Sequence, residues 1–88
     1  MNLMEIALRA GVPLADIELL IRGHASQSVA NRLGVPMLGL EDFMANGIAS
    51  ANVAHRLGTS MNAAEELARA VGPQGAIGIV LGLLLSAK

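Results

Sequence analysis

The chain has 88 residues, a formal net charge of −1 and no cysteine, which excludes disulfides, thiolate nucleophiles and thiolate metal sites. A nearly neutral chain also lacks the strong positive field that draws nucleic acids or acidic membranes to a protein surface. Hydrophobic residues make up 53% of the sequence, yet Phe43 is the only aromatic residue. Because aromatic and β-branched runs are what favour strands, we predict an all-α protein with one domain over residues 1–88.

The N-terminal residues MNLMEIALRAG do not resemble a secretory signal. They carry no positively charged start, and Glu5 interrupts the short apolar stretch. Together with the lack of cysteine, this makes a cytoplasmic location our expectation.

One short pattern recurs along the chain. VANRLGV at 29–35 returns as VAHRLGT at 53–59, and a weaker version, IALRAGV, occupies 6–12. Steps of 23 and 24 residues align six columns, which are Ala7/Ala30/Ala54, Arg9/Arg32/Arg56, Gly11/Gly34/Gly58, Leu14/Met37/Met61, Glu18/Glu41/Glu65 and Leu20/Phe43/Leu67. The sequence therefore predicts three repeats, at about residues 3–22, 26–45 and 50–71.

The first copy predicts two helices joined by a turn. Apolar residues at helical spacing predict the buried faces, which are Leu3, Ile6, Ala7 and Ala10 in the first helix and Leu14, Ile17, Leu20 and Ile21 in the second. Gly11 is expected to end the first helix in the left-handed conformation, and Pro13 suits the first turn of the second.

The second and third copies predict the same arrangement. Ser26 and Ser50 are expected N-caps, and Gly34 and Gly58 are the expected turns. The predicted buried residues are Val29, Ala30, Leu33, Met37, Leu40, Phe43 and Met44 in the second copy and Val53, Ala54, Leu57, Ala64, Leu67, Ala68 and Val71 in the third.

Arginine and glutamate recur at spacings that suit structural ion pairs. Three pairs lie four residues apart on one helix, namely Glu5–Arg9, Glu18–Arg22 and Glu65–Arg69. Two more, Arg32–Glu41 and Arg56–Glu65, are placed to bridge one helix to the next.

A charge-free segment, GAIGIVLGLLLSA, follows Gly72-Pro73 and predicts an apolar C-terminal helix over residues 74–87. The 13 residues from Gly75 to Ala87 make about 20 Å of helix, which is shorter than the roughly 30 Å core of a bilayer. Gly75, Gly78 and Gly82 share one face, where another backbone can approach closely. With this helix, the sequence predicts a compact bundle of about seven short helices.

The second and third copies resemble the helix-turn-helix motif of DNA-binding regulators. That motif has a small residue four positions before the turn glycine and a hydrophobe before it, with further hydrophobes six and nine positions after the glycine. The matching residues are Val29, Ala30, Gly34, Leu40 and Phe43, then Val53, Ala54, Gly58, Ala64 and Leu67. The resemblance is at the level of the motif and names no particular family.

The resemblance implies that Arg32, Arg56 and Asn62 would contact DNA. However, the recognition-helix positions that would face phosphates hold acidic residues, which are Glu41, Asp42, Glu65 and Glu66. DNA binding is therefore the alternative rather than the leading hypothesis.

No catalytic constellation is visible in the sequence, and we expect no enzyme, metal or cofactor. His24 and His55 are the only histidines, and neither has a second ligand at helical spacing. The leading hypothesis is a non-catalytic protein that binds other proteins or assembles with itself, either as a structural subunit or as a small regulator. A second alternative is membrane association through residues 75–87.

The residues we propose for the interaction lie in two groups. The first is the C-terminal helix, and the second is the aligned methionine and glutamate columns of the last two copies. They are Gly75, Gly78, Ile79, Gly82 and Leu83, together with Met37, Glu41, Met61 and Glu65.

Overall fold

The computed structural model describes residues 1–86, and this part of the chain is all-α. Its helices are α1 (Leu3–Ala10), α2 (Leu14–Ile21), α3 (Gln27–Leu33), α4 (Met37–Asn46), α5 (Ala51–Leu57) and α6 (Met61–Ser86). The described residues thus contain six helices and no strand. The number is below the expected seven because the last two predicted helices follow each other without a loop and are counted together as α6, with a non-helical break at Gly72. The predicted end of the last helix, at residue 87, lies outside the described residues.

Four helices begin with a side-chain cap, and that of α6 is the Ser60 hydroxyl, which accepts a hydrogen bond from the Ala63 N–H at 3.1 Å. The Asn2 Oδ1 atom accepts a hydrogen bond from the Glu5 backbone N–H, and the Ser26 and Ser50 hydroxyls accept from Val29 and Val53. Each bond satisfies one of the N–H groups that a helix start leaves without a partner. The predicted caps Ser26 and Ser50 are therefore confirmed.

The first helix of each hairpin ends at a left-handed glycine. Gly11, Gly34 and Gly58 have φ of 73°, 73° and 76°. In each case the N–H of the next residue returns to the helix, as when Val35 donates to the Ala30 carbonyl at 3.0 Å. This hydrogen bond satisfies a carbonyl at the helix end. The three predicted helix ends are confirmed.

Two of these turns are followed by a proline, and Pro13 lies one position earlier than expected. Pro13 and Pro36 occupy the N-cap positions of α2 and α4, with extended backbone, rather than the first helical turn. Neither position has a side-chain cap, so the fixed proline φ directs the chain into the helix.

The core is formed by one face of every helix. It contains small and aliphatic residues around Phe43, and no polar or charged side chain is buried within residues 1–86. Most predicted core positions are confirmed. Four are wrong: Leu3 and Ile21 are exposed in the first copy, and Leu67 and Val71 are 40% and 41% exposed in the third. The alanines Ala64 and Ala68, predicted in the same helix, do face the core.

Helix α6 bends sharply at Gly72. The backbone of Gly72 has φ 75° and ψ 176°, which is far from helical, and Pro73 follows. Proline has no N–H to donate to the preceding turn, and glycine accepts the positive φ without a steric penalty. After the bend, Ala76, Ile77, Val80 and Leu84 turn towards the core.

Candidate interaction surfaces

The outer face of α6 after the bend has two glycines at its centre, between the exposed polar residues Gln74 and Ser86. Gly78 and Gly82 are exposed, and a Cβ atom at either position would meet no other group within 4 Å. Ile79 and Leu83, which we proposed alongside them, are half-buried. Residues 73–86 carry no charged side chain. This face is therefore flat, uncharged and open to solvent, which suits close contact with another backbone.

Gly75 has a different role from the other two glycines. It is half-buried, and a Cβ atom there would overlap the side chain of Val71, one turn earlier in the same helix. The bend at Gly72 brings these two positions together. Gly75 is thus required by the shape of α6, and only Gly78 and Gly82 remain as an open surface.

Glu41 and Glu65 perform the same structural task in α4 and α6. The Glu41 carboxylate accepts a hydrogen bond from the Ala25 N–H at 3.1 Å, and the Glu65 carboxylate accepts one from Ala49 at 3.0 Å. Both donors immediately precede a serine N-cap, so each carboxylate holds the start of the preceding helix. These two proposed interaction residues are therefore engaged within the fold.

The aligned methionines differ in exposure. Met37 is half-buried against the core, whereas Met61 is 48% exposed at the start of α6. Only Met61 offers apolar surface to a partner, and it lies at the opposite end of α6 from Gly78 and Gly82.

The residues proposed for DNA contact do not form one free surface. Arg32 is half-buried, and its Nε donates to the Ala10 carbonyl at 2.9 Å, where it holds the end of α1. Arg56 is also half-buried, while Asn62 is exposed. The neighbouring exposed positions on α4 and α6 include Asp42 and Glu66.

The three ion pairs predicted within helices are absent from residues 1–86. Glu65 binds the Ala49 N–H, and Arg9 approaches the Met1 sulfur at 4.0 Å. The one ion pair found in this part of the chain is His24–Glu41, at 3.7 Å between Nδ1 and Oε1, and it forms when the imidazole is protonated. Exposed pairs gain little in water, which explains why the spacing alone did not produce them.

A group of exposed apolar residues near the N-terminus was missed by the sequence reasoning. Leu8 is 75% exposed, and Met4 lies one helical turn before it on the same side of α1. The aligned copies could have predicted this exposure, because the position of Leu8 is occupied by the polar residues Asn31 and His55 in the other two copies. All three are exposed, so the position faces solvent in each copy.

A small open cleft lies beside the bend of α6. It has a volume of about 210 Å³ between the end of α4 and residues on both sides of Gly72. Phe43, Met44, Ala68 and Ala76 form its apolar walls, and Arg69 lies among the lining residues. Across residues 1–86, no group of three or more metal-ligating side chains is assembled there or elsewhere.

No protein family, curated protein or solved structure matches this chain. By length and composition alone, α6 passes as a helix that could cross a membrane, although core helices of soluble proteins pass the same test. The acidic residues Glu65 and Glu66 and the bend at Gly72 lie within that helix.

Proposed function

We propose that this protein is a non-catalytic helical subunit that assembles with copies of itself. The observation that carries the proposal is the outer face of α6, where Gly78 and Gly82 are exposed within a charge-free segment. Glycine inside an exposed helix lowers helix stability by about 0.5–1 kcal/mol relative to alanine. A partner packed on the glycines offsets that cost, because the missing side chains let two backbones approach closely.

The exposed apolar side chains support the same proposal. Leu67 and Val71 lie one turn apart on the outer side of α6 before the bend, and both are about two-fifths exposed. Apolar surface that a monomer leaves in water is typical of a contact site for protein or lipid. The absence of a strong net charge removes the long-range repulsion that would oppose assembly.

We further propose that the chain consists of three copies of one helical hairpin followed by a closing helix. The support is the placement of the positive-φ glycines within residues 1–86. Two fall in each copy, one after its first helix and one after its second, and they are Gly11, Gly23, Gly34, Gly47, Gly58 and Gly72. In this scheme the bend at Gly72 ends the third copy, and α6 counts as two helices, which makes seven.

The shared glutamate contacts also support a repeated unit. Glu41 binds the N–H sixteen residues before it, and Glu65 does the same. The donors Ala25 and Ala49 are themselves 24 residues apart, as are the two serine caps. A repeated unit accounts for equal contacts at equal spacing without further assumptions.

Light scattering coupled to size-exclusion chromatography tests the assembly. We expect a mass above that of the 9.0 kDa chain, rising with concentration. The variants Gly78→Leu and Gly82→Leu should lower the mass while the free energy of unfolding of the single chain is kept or rises, because no neighbour within the chain crowds either position and leucine favours the helix. A wild-type monomer at high micromolar concentration would refute the proposal.

The control variant is Gly75→Leu, which should destabilise the chain itself through overlap with Val71. Vesicle flotation in parallel separates a protein partner from lipid. Flotation of the wild type that is kept or increased in Gly78→Leu, with a monomer in solution, would assign the face to a membrane instead, because the added leucine side chain strengthens binding to lipid.

A further inference from the structure

Helix α1 has an exposed side that differs from the corresponding sides of α3 and α5. Counting back from the left-handed glycine, the third residue is Leu8 in α1, Asn31 in α3 and His55 in α5, and all three are exposed. The seventh residue is Met4, Gln27 or Ala51, again exposed each time. Only α1 therefore carries large apolar side chains at both of these solvent-facing positions.

The same contrast recurs in the second helix of the N-terminal hairpin. Leu19 is exposed in α2 at the position that Asp42 and Glu66 occupy, also exposed, in α4 and α6. In chains built from stacked units, the terminal unit usually presents a polar outer face to keep the protein soluble. The N-terminal hairpin does the opposite, which indicates a surface that is covered in the assembled protein.

Charges next to this surface identify what covers it. Glu5 and Arg9 are exposed and follow Met4 and Leu8 directly in the sequence, so they border the apolar side chains on one side of α1. They form no ion pair with each other within residues 1–86. If a second α1 packs antiparallel about a two-fold axis, Glu5 of each chain lies opposite Arg9 of the other. The charges that border this face in one copy are thus complementary to those that border it in a second copy.

We propose that the α1 face, defined as Met4, Leu8, Glu5 and Arg9, binds the α1 face of a second copy of this chain. The inference rests on the proposed self-assembly and names one contact within it. An isologous contact places Met4 and Leu8 of both chains at its centre and two Glu5–Arg9 pairs at its edge. Because α1 has eight residues and is about 12 Å long, the contact is small and reversible.

The test measures self-association by sedimentation equilibrium over a range of concentrations. Leu8→Asn gives α1 the residue that α3 has at this position, and we expect association to weaken at least about tenfold. Leu38→Asn is the matched control, because Leu38 is 74% exposed on α4 and lies outside the α1 face. It should associate as the wild type does.

Charge variants test the orientation of the two helices. Glu5→Arg or Arg9→Glu alone breaks both symmetry-related Glu5–Arg9 pairs. Either variant should therefore weaken association by about tenfold. The double variant Glu5→Arg/Arg9→Glu restores opposite charges across the two-fold axis, and association should return to the wild-type value. Glu5 and Arg9 also lie four residues apart on one helix, so the free energy of unfolding of each variant is measured alongside; loss and recovery of association at unchanged stability assigns the effect to the contact between chains.

The outcomes separate the two proposals. A wild-type monomer at every concentration overturns both the proposed function and this contact. If the wild type assembles, and Leu8→Asn and both charge variants assemble equally well, the α1 contact alone is overturned. If circular dichroism shows that Leu8→Asn is unfolded, the charge variants alone test the contact. The proposal is then overturned if association does not recover in the double variant.

Discussion

The N-terminal hairpin, α1–α2, and the middle hairpin, α3–α4, have the same backbone plan but different surroundings. Both first helices end at a glycine with φ 73°, and both second helices follow a proline. In the middle hairpin, Met44 is 2% exposed, whereas the aligned Ile21 in the N-terminal hairpin is 39% exposed. Turns and caps thus fix the hairpin, while the neighbouring helices decide which of its apolar residues become core.

The largest expected effect separates the two hairpins at one aligned position. Met44→Ala should reduce the free energy of unfolding by about 2–5 kcal/mol, because it leaves a cavity in a closed core. Ile21→Ala should cost about 1 kcal/mol or less, since much of its side chain already contacts water. Chemical denaturation of both variants measures the difference, and equal losses would show that α2 is as enclosed as α4.

A smaller loss of stability is expected from changing the left-handed glycine that ends the first helix of each hairpin. Gly34→Val should cost more than about 1 kcal/mol, because a β-branched residue resists the positive φ at the end of α3. Gly58→Val should behave alike at the end of α5. The cost comes from the backbone, as a Cβ atom at Gly34 meets nothing within 4 Å.

Gly34→Asn is the control for that effect, because asparagine adopts the left-handed region more readily than other residues with a side chain. Its melting temperature should lie between those of the wild type and Gly34→Val. Identical melting temperatures for all three proteins would contradict a conformational role for this glycine.

The smallest effect compares aligned glutamates in α2 and α4. Glu41→Ala should cost about 1 kcal/mol, since it removes the acceptor of the partly buried Ala25 N–H. Glu18→Ala should change stability by about 0.5 kcal/mol or less, because Glu18 is exposed. Thermal unfolding monitored by circular dichroism checks both, and a larger loss for Glu18→Ala would reverse the assignment.

The local parts of this fold were predictable from the sequence. Serine caps, turn glycines and apolar spacing act over a few residues, so Ser26, Ser50 and Gly34 could be assigned without knowing the tertiary structure. The C-terminal segment was also recognised as apolar, but its outward glycine face could be separated from Gly75 only after the bend at Gly72 was seen.

Contacts between helices were harder to predict. Spacing within a helix suggested that Glu65 pairs with Arg69, yet the carboxylate binds a backbone N–H sixteen residues away. A buried backbone N–H without a hydrogen-bond partner costs more free energy than an exposed arginine without an ion pair. Sequence spacing does not reveal which N–H will be buried. Helical spacing likewise placed Leu67 in the core beside Ala64 and Ala68, but only the two small alanines face the core in α6.

The side-chain bonds that fasten one helix to another also bear on how fast the chain reaches its native state. The Glu41–Ala25 and Glu65–Ala49 contacts each close a segment of 16 residues, and Arg32–Ala10 closes one of 22. Closing short segments of this kind costs the chain little entropy, and helical proteins rich in such local contacts fold in microseconds to milliseconds. Rapid-mixing or temperature-jump kinetics should therefore place this chain among the fast folders.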